Sequence, residues 1–300
     1  MGLRHTPYDG SKQPFTVGLE TISVAEWFEA DRNLLPHLER KGELLNQDHG
    51  RVFRAEAGTE DAQHEVLDLL LAHLKDHHPS THTVLNDKVH IKDGPTVHLS
   101  GRAPLETASR LVQEDLVIMR ASDDGYRLTA ASLCFPSSWS LAEKHGRSMR
   151  DIHETVPGFN DGRMGAIVAR IFQNLTADQL LARYNWSVYD DADLHHPEAR
   201  QLSVNVSESA GFLAGLFVRV ERQTLRRLPR SGDILFTIKI HHDPLPLLAA
   251  HPDRANLAAG LANQLRRLDR DQLEYKGLAR HQESLAQALE ELAGQTVVAG

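Results

Sequence analysis

Cysteine is almost absent from the sequence: the 300 residues contain only one, Cys134. A single cysteine cannot form a disulfide within the chain, and it cannot supply the ligands of a cysteine-held zinc ion or iron–sulfur cluster. The chain also has no glycine-rich G-x-G-x-x-G segment at the start of a βαβ unit, the pattern typical of dinucleotide-binding domains. Any iron–sulfur or nicotinamide chemistry therefore belongs on a partner protein.

Long apolar runs and an excess of positive charge are also missing. No apolar stretch reaches the roughly 18 residues that a membrane helix needs, and the first residues carry no pattern of a secretory signal. With 33 Lys and Arg against 41 Asp and Glu, the formal net charge is −8, which argues against a generally basic nucleic-acid-binding protein. We expect a cytoplasmic protein with neither a membrane nor a nucleic acid as its partner.

Histidine, by contrast, is abundant. The chain has 18 histidines, and several of them stand in adjacent pairs. A neutral imidazole is a common ligand of metal ions and of heme iron, and its ordinary pKa leaves it mostly neutral at physiological pH. The composition therefore makes metal or heme ligation a hypothesis to examine.

Five segments of the chain have the apolar patterns of β-strands. They are residues 116–119, 126–135, 184–189, 215–225 and 233–241. An Asp-Asp-Gly turn at 123–125 joins the first two into a predicted hairpin. Residues 140–175, between the second and third strands, have helical patterns instead, as do residues 60–75 and 257–292.

This order of elements predicts an α+β fold with a PAS-like five-stranded antiparallel sheet, a helical insertion, and N-terminal and C-terminal helical extensions. In a PAS domain, the central helices and the sheet enclose a ligand pocket. We predict a mixed helical and loop extension over residues 1–105 that packs on the core, the PAS-like core over 106–248, and a helical extension over 249–300.

Five motifs in a fixed order resemble a known enzyme family. They are CFPSSW at 134–139 with KHG at 144–146, IHETVPG at 152–158, RYNW at 183–186, RVERQTLRRLP at 219–229 and ILFTI at 234–238. Together they resemble the α subunit of the heme-dependent oxidative N-demethylase family. The likeness covers about residues 130–245 and extends weakly to the N-terminal segment around residues 14–19.

The resemblance implies a PAS-like domain that binds heme b and has become an oxygen-using enzyme. It would remove a methyl group from a small secondary amine such as dimethylamine with O2, giving a primary amine and formaldehyde. Electrons would come from NADPH through FMN and a 2Fe-2S cluster on separate reductase subunits. The single cysteine and the missing dinucleotide motif agree with this division.

The resemblance also implies that His153 binds the heme iron. This histidine lies in the helical insertion shortly before the third predicted strand, where heme-binding PAS domains place their axial histidine. A neutral imidazole can bind iron through one ring nitrogen while it donates its other N–H to a carbonyl or carboxylate oxygen. His153 could instead cap its helix or bond a buried acceptor, and His145 is the second candidate for the iron ligand.

Two arginines on the fourth predicted strand are candidates for a donor to bound oxygen. Alternation places Arg219 and Glu221 on one face of the strand and Arg222 on the other. A guanidinium fixed over heme could polarise dioxygen, and we prefer Arg219 because Glu221 on the same face could orient it. The alternatives are Arg222, or an ion pair between Arg219 and Glu221 at the surface of the strand.

Two carboxyl groups are candidates to bind an ammonium substrate. Such a substrate needs a carboxylate that accepts its N–H group and takes its proton before oxidation. Glu221 and Asp193 have the right chemistry. Asp193 lies in an acidic loop, however, where carboxyl groups are usually only solvated.

Arg226 and Arg227 lie in a basic turn that could bind the heme propionates, because these groups need cationic partners when they are partly buried. The same turn, which also contains Arg230, could be solvated or could dock an acidic partner. We expect Trp186 to fill the core beside the pocket, as tryptophans generally do.

Two other functions remain as alternatives. A non-catalytic heme-based gas or redox sensor would use the same pocket, but no kinase, cyclase or DNA-binding segment accompanies the predicted core. A small-ligand-binding subunit would use the pocket without heme. An absorption spectrum separates this last function from the other two.

Overall fold

The computed structural model describes residues 2–203 and 212–294. Its strands are β1 Glu20–Thr21, β2 Phe53–Ala55, β3 His82–Val84, β4 Lys88–Ile91, β5 Thr96–His98, β6 Asp115–Ser122, β7 Gly125–Ser132, β8 Leu180–Tyr189, β9 Phe217–Arg227 and β10 Ile234–Pro244. Its helices are α1 Leu34–Gln47, α2 His49–Val52, α3 Glu60–His77, α4 Pro104–Ser109, α5 Leu141–Lys144, α6 Met149–Ile152, α7 Arg163–Asn174, α8 Leu245–Ala249, α9 Arg254–Arg267, α10 Arg270–Tyr275 and α11 Gln282–Gly294. None of the described helices is long and apolar enough to cross a membrane.

The main sheet is antiparallel and has seven strands, in the order β1-β8-β9-β10-β6-β7-β2. The five predicted strands are its five central ones, which confirms the α+β class. The prediction of a five-stranded sheet was incomplete, because β1 and β2 extend the two edges. These strands have two and three residues, which is too short for an alternating pattern to stand out in the sequence.

A second, three-stranded sheet lies in the N-terminal part, where the sequence indicated only helices and loops. It consists of β3, β4 and β5 in that order. The buried apolar residues of these strands are only Val89, Ile91 and Val97, and the other buried position, His82, is polar. Strands of three or four residues with so few apolar positions give little signal above that of a polar loop.

Helices from both ends of the chain cover the back face of the main sheet. The N-terminal helices share one apolar core with β6, β7 and β10, and the buried Lys41 on α1 donates from Nζ to the Val112 carbonyl oxygen at 3.1 Å. The C-terminal helices α9 and α11 form a second apolar core with Val218 and Val220 of β9. The described chain ends at residue 294, the last residue of α11.

The front face of the sheet is covered by the helical insertion, whose three helices α5, α6 and α7 agree with the predicted helical stretch. The end of α7 is fastened to β9 by Arg227, which donates to the carbonyl oxygens of Phe172 at 2.6 Å and Leu175 at 2.5 Å. Arg227 also donates to the hydroxyl oxygen of Tyr126 on β7 at 2.9 Å. The insertion thus stands over the sheet and leaves an enclosed space between them.

Candidate functional site

The space between the sheet and the insertion is a cavity with two apolar walls. The sheet contributes Val117, Met119, Leu128, Leu225, Phe236 and Ile238. The insertion contributes Met149, Ile152, Val156, Phe159, Met164, Val168 and Phe172. Few atoms in these walls can form hydrogen bonds, so the cavity suits a largely apolar ligand whose position is fixed by a small number of polar groups.

His153 lies in the wall that the insertion provides, directly after α6. Its Nδ1 lies 2.8 Å from the Met149 carbonyl oxygen, and its ring stacks on Phe159 with the ring centroids 4.0 Å apart. Since a carbonyl oxygen only accepts, Nδ1 carries the proton. Burial lowers the pKa of His153 to about 4, against the effect of the bond to Met149. His153 is therefore a neutral imidazole, and no described residue bonds its Nε2.

The opposite wall carries a row of polar side chains from β9. Arg219, Glu221 and Gln223, which alternate along one face of this strand, all line the cavity. Nε2 of Gln223 donates to Oε2 of Glu221 at 2.8 Å. On the neighbouring strand β8, Asn185 stands opposite Glu221 and Arg183 stands opposite Gln223. The single carboxyl group of the described lining is therefore surrounded by amide and guanidinium groups.

Arg219 is 1% exposed, so it is not part of an ion pair at the surface. Its Nε donates to the Ser137 hydroxyl oxygen at 2.9 Å, and its Nη2 donates to the carbonyl oxygens of Phe135 at 2.9 Å and Leu194 at 3.0 Å. Nη1 is buried and has no hydrogen-bond partner among the described residues. The guanidinium is therefore held rigidly while one of its nitrogens remains unpaired.

The segment at 134–139 is fastened from the other side by Asp115 at the start of β6. The buried carboxyl group accepts from the backbone N–H groups of Cys134 at 2.8 Å and Phe135 at 2.7 Å. Burial raises the pKa of Asp115, although Lys41, with Nζ 3.8 Å from Oδ1, and the two N–H groups act in the opposite direction. Asp115 and Arg219 together fix this segment at the edge of the cavity.

One family model matches most of the chain. The family model described as "Haem-dependent oxidative N-demethylase, alpha subunit-like" matches residues 18–286 of the chain. The chain belongs to this family. The family description supports an oxidoreductase class and a dependence on heme, and its term "alpha subunit" implies that other subunits exist.

Within this α-subunit-like chain, three of the arginines singled out from the sequence lie outside the residues that line the cavity. Arg222 is on the back face of β9, where its Nη1 donates to the Trp27 carbonyl oxygen at 3.1 Å. The guanidinium of Arg226 lies over the ring of Trp27, 4.1 Å from its centroid. Arg227 uses its donors to hold α7, as described above. These side chains make contacts within the fold, and none of the three lines the cavity.

Asp193 and His145 are also placed away from the cavity lining. Asp193 is half exposed and accepts from the backbone N–H groups of Leu194 at 2.7 Å and His195 at 3.2 Å, which is a turn-stabilising role. The Nε2 of His145 is buried without a partner among the described residues. Trp186 borders the cavity, and its indole N–H donates to the side-chain oxygen of Gln264 on α9.

Three cationic residues of the cavity were not predicted as site residues, namely Lys144, Arg183 and Lys276. Arg183 forms no hydrogen bond with any described residue, and its Nε is buried. Lys276 follows α10, and its Nζ donates to the side-chain oxygen of Asn185 at 3.1 Å and to the Trp186 carbonyl oxygen. Arg183 belongs to the RYNW motif, so a signal for it was present. Lys276 lies in a polar helical region without a motif, and only the fold brings it to the site.

Proposed function

We propose that this chain binds heme b in the cavity through His153 and removes a methyl group from a small secondary amine such as dimethylamine, using O2. The products are a primary amine and formaldehyde. The observation that carries the proposal is a neutral imidazole at the wall of an apolar cavity, with its Nδ1 fixed and its Nε2 unbonded by described residues. Membership in a heme-dependent family supports it.

The residues around the cavity fit this cofactor. A porphyrin needs apolar surfaces against its two faces, an axial ligand for its iron and cationic groups near its propionates. The sheet and the insertion supply the apolar surfaces, and His153 supplies an imidazole whose Nδ1–H is already bound to the Met149 carbonyl. Such a bond fixes the tautomer that a metal-binding Nε2 requires.

The arrangement of the central strands supports a PAS-like core. They follow the order β8-β9-β10-β6-β7, so the first and last strands of the five, β6 and β10, are neighbours in the middle. A PAS sheet has this arrangement, with helices between its second and third strands covering one face. Here α5, α6 and α7 occupy that place.

Glu221 and Arg219 have separate tasks in the proposed reaction. Bound heme supplies the redox chemistry with O2, while the protein binds and orients the amine. The Glu221 carboxylate accepts a hydrogen bond from the substrate ammonium and takes its proton, because the amine must be unprotonated before it is oxidised. Arg219, whose Nη1 has no hydrogen-bond partner among the described residues, would supply a fixed donor that stabilises negative charge on O2.

Electrons are proposed to come from separate reductase subunits that carry NADPH-binding, FMN and 2Fe-2S centres. Cys134 is the only cysteine, and a single cysteine cannot supply the ligands of an iron–sulfur cluster. Burial raises its pKa to about 12, so it is not a reactive thiolate either. This chain would then contribute the oxygen-binding and substrate-binding site only.

An absorption spectrum of the protein titrated with hemin tests the proposal. We expect a saturable Soret band at one heme per chain, and we expect His153→Ala to lose it while the far-ultraviolet circular dichroism is unchanged. His145→Ala is the matched control, because its ring does not line the cavity, and it should bind heme as the wild type does. A wild-type spectrum in His153→Ala would reject His153 as the ligand.

Activity separates the enzyme from the heme sensor. The heme-loaded chain should release formaldehyde from dimethylamine with an artificial reductant, and with NADPH only after a flavin and iron–sulfur reductase is added. Loss of formaldehyde release in Glu221→Gln with an unchanged heme spectrum would support the assigned role of the carboxylate. Absence of formaldehyde under every reductant, with stoichiometric heme, would favour the sensor.

A further inference from the structure

The cavity is basic, although the chain as a whole is acidic. Its described lining contains four cationic side chains, Lys144, Arg183, Arg219 and Lys276, against the one carboxyl group of Glu221. The whole chain has a net charge of −8. An excess of buried positive charge is costly unless anionic groups compensate it. The lining therefore predicts a ligand that carries negative charge.

Arg183 and Lys276 have the hydrogen-bonding capacity for this charge. Nε and Nη2 of Arg219 have described acceptors and its Nη1 is assigned to O2 in the proposed function, while Nζ of Lys144 donates to the Ile152 carbonyl oxygen at 2.6 Å. Arg183 has five N–H donors, and no described residue accepts from them. Lys276 has three donors, of which two have described acceptors.

These two cations also lie at the polar end of the cavity. Both border a second cavity, which lies beneath the N-terminal segment and is lined by polar residues that include Arg4, Lys12 and Gln264. The apolar residues Val117, Leu128 and Phe236 line only the first cavity. A ligand with one apolar edge and one charged edge would therefore turn its charged edge towards Arg183 and Lys276.

We propose that Arg183 and Lys276 bind the propionate carboxylates of heme and so fix the orientation of the porphyrin in the cavity. This inference rests on the proposed function, since it takes heme as the ligand. A guanidinium pairs with a carboxylate through two parallel N–H···O bonds, and an ammonium adds a point charge. Arg226 and Arg227, which belong to the end of strand β9 and not to a turn, do not serve this purpose, because neither side chain lines the cavity.

A carboxylate on the substrate is the other ligand that Arg183 and Lys276 would recognise. An N-methyl amino acid would place its ammonium group against Glu221 and its carboxylate against the same two cations. The propionates fit better, because a porphyrin brings two carboxylates on one edge and its opposite edge is apolar. The experiment distinguishes the two sources.

The test measures porphyrin binding rather than turnover. Apoprotein is titrated with hemin, with metal-free protoporphyrin IX and with hemin dimethyl ester, which lacks the propionate charges, and binding is followed by quenching of tryptophan fluorescence. Arg183→Gln and Lys276→Gln should each weaken hemin and protoporphyrin binding by about tenfold or more. The ester should bind less tightly than hemin to the wild type, and equally to all variants.

Arg226→Gln is the matched control, because it removes an arginine from the same sheet but outside the cavity. It should bind hemin as the wild type does. Arg183→Lys keeps the positive charge and should recover part of the lost affinity. Equal affinity of hemin and its ester for the wild type, or unchanged binding in both glutamine variants, overturns the inference and leaves the proposed function standing.

Binding of a substrate carboxylate by the two cations would give a different experimental result. In heme-loaded protein, sarcosine and dimethylamine are titrated against the Soret band. A loss of the sarcosine response in Arg183→Gln, with hemin affinity unchanged, would assign the cations to a substrate carboxylate and overturn the propionate assignment. A wild type that binds neither hemin nor protoporphyrin would overturn the proposed function itself, which is a different result from any of these.

Discussion

Nδ1 of His153 lies 2.8 Å from the carbonyl oxygen of Met149, one helical turn earlier in the chain. The bond fixes the imidazole with its Nε2 as the acceptor nitrogen. A backbone carbonyl that holds one ring nitrogen in this way fixes the tautomer that the proposed iron ligation requires. A helix cap would not need a ring that is also stacked on Phe159 at the wall of a cavity.

The low pKa of His153 predicts an unusual pH dependence of heme binding. Only the unprotonated ring can bind iron, and burial lowers its pKa to about 4 from an ordinary 6.5. Protonation therefore competes with iron only as the pH falls towards 4. The affinity for hemin, measured by titration between pH 8 and pH 5, should show no step near pH 6.5. A tenfold loss between pH 7 and pH 5.5 would contradict the neutral, buried state of this ring.

Arg219→Lys should destabilise the protein and, if heme is bound as proposed, should also weaken the binding of O2. The lysine keeps the charge, but it cannot reach Ser137, Phe135 and Leu194 at once, so buried acceptors lose their partner. We expect the free energy of unfolding to fall by about 1–3 kcal/mol, measured with urea. The ferrous–oxygen complex should also decay faster.

Ser137→Ala is the control that separates the two effects of Arg219. It removes the acceptor of Nε but leaves the guanidinium in place through its bonds to backbone carbonyls. It should lower stability slightly and leave the lifetime of the oxygen complex unchanged. Equal shortening of that lifetime in both variants would show that Arg219 acts by holding the segment at 134–139.

Asp115→Asn tests the anchor on the other side of this segment. The asparagine offers one acceptor oxygen to two N–H groups, those of Cys134 and Phe135, and it buries an amide N–H group without a partner. It also removes a negative charge close to the buried Lys41. We expect a loss of about 2–4 kcal/mol in the free energy of unfolding. Asp123→Asn in the exposed hairpin turn should change it little, and equal effects would contradict the anchoring role.

His37 should contribute a loss of stability in mild acid. Burial lowers its pKa to about 4, and its Nδ1 accepts from Gln113 at 3.1 Å, so the folded state holds it neutral. Because the pKa is about 6.5 in the unfolded chain, its stabilising contribution is complete above pH 6.5 and is lost as the pH falls to 4. Between pH 7 and pH 5 this residue should account for about 2 kcal/mol.

The measurement is urea unfolding at pH 7 and at pH 5 for the wild type and His37→Asn. Between the two pH values, the free energy of unfolding of the variant should fall by about 2 kcal/mol less than that of the wild type. His90→Asn, at an exposed position in β4, is the control and should match the pH response of the wild type. A response in His37→Asn equal to that of the wild type would contradict the assignment.

The sequence predicted the central strands and the insertion because their patterns are long. Strand β9 has eleven residues, and its alternation placed Arg219 and Glu221 correctly on one face. The face of a strand follows from chain geometry alone, since successive side chains point to opposite sides. Which face meets the cavity depends on the helices packed behind it, and no local pattern contains that information.

The cationic end of the cavity could not be predicted for a different reason. Arg226 and Arg227 form a conspicuous cluster in the sequence, but they point to Trp27 and to backbone carbonyls. Lys276 is one lysine in a polar helical region, almost 50 residues beyond the end of β9 in a separate part of the chain. Contact between such distant segments arises from the packing of α9 and α10 beside β8, which depends on the whole fold.

Lys276 predicts a step in porphyrin affinity at alkaline pH. Burial lowers its pKa to about 8, Glu221 acts to raise it and Arg183 acts to lower it further. A lysine binds a propionate through its charge, and this charge is lost as the pH rises through the pKa of the free protein. At pH 9 about a tenth of the molecules keep it, so the affinity should be about tenfold lower than at pH 7.

Metal-free protoporphyrin IX is the ligand to use, because iron would add a titration of its own. Lys276→Met should bind more weakly at pH 7 and show no such step, while Lys12→Gln, which removes an exposed lysine of the second cavity, should keep it. A step of equal size in Lys276→Met would place the titrating group elsewhere and remove Lys276 from the propionate site.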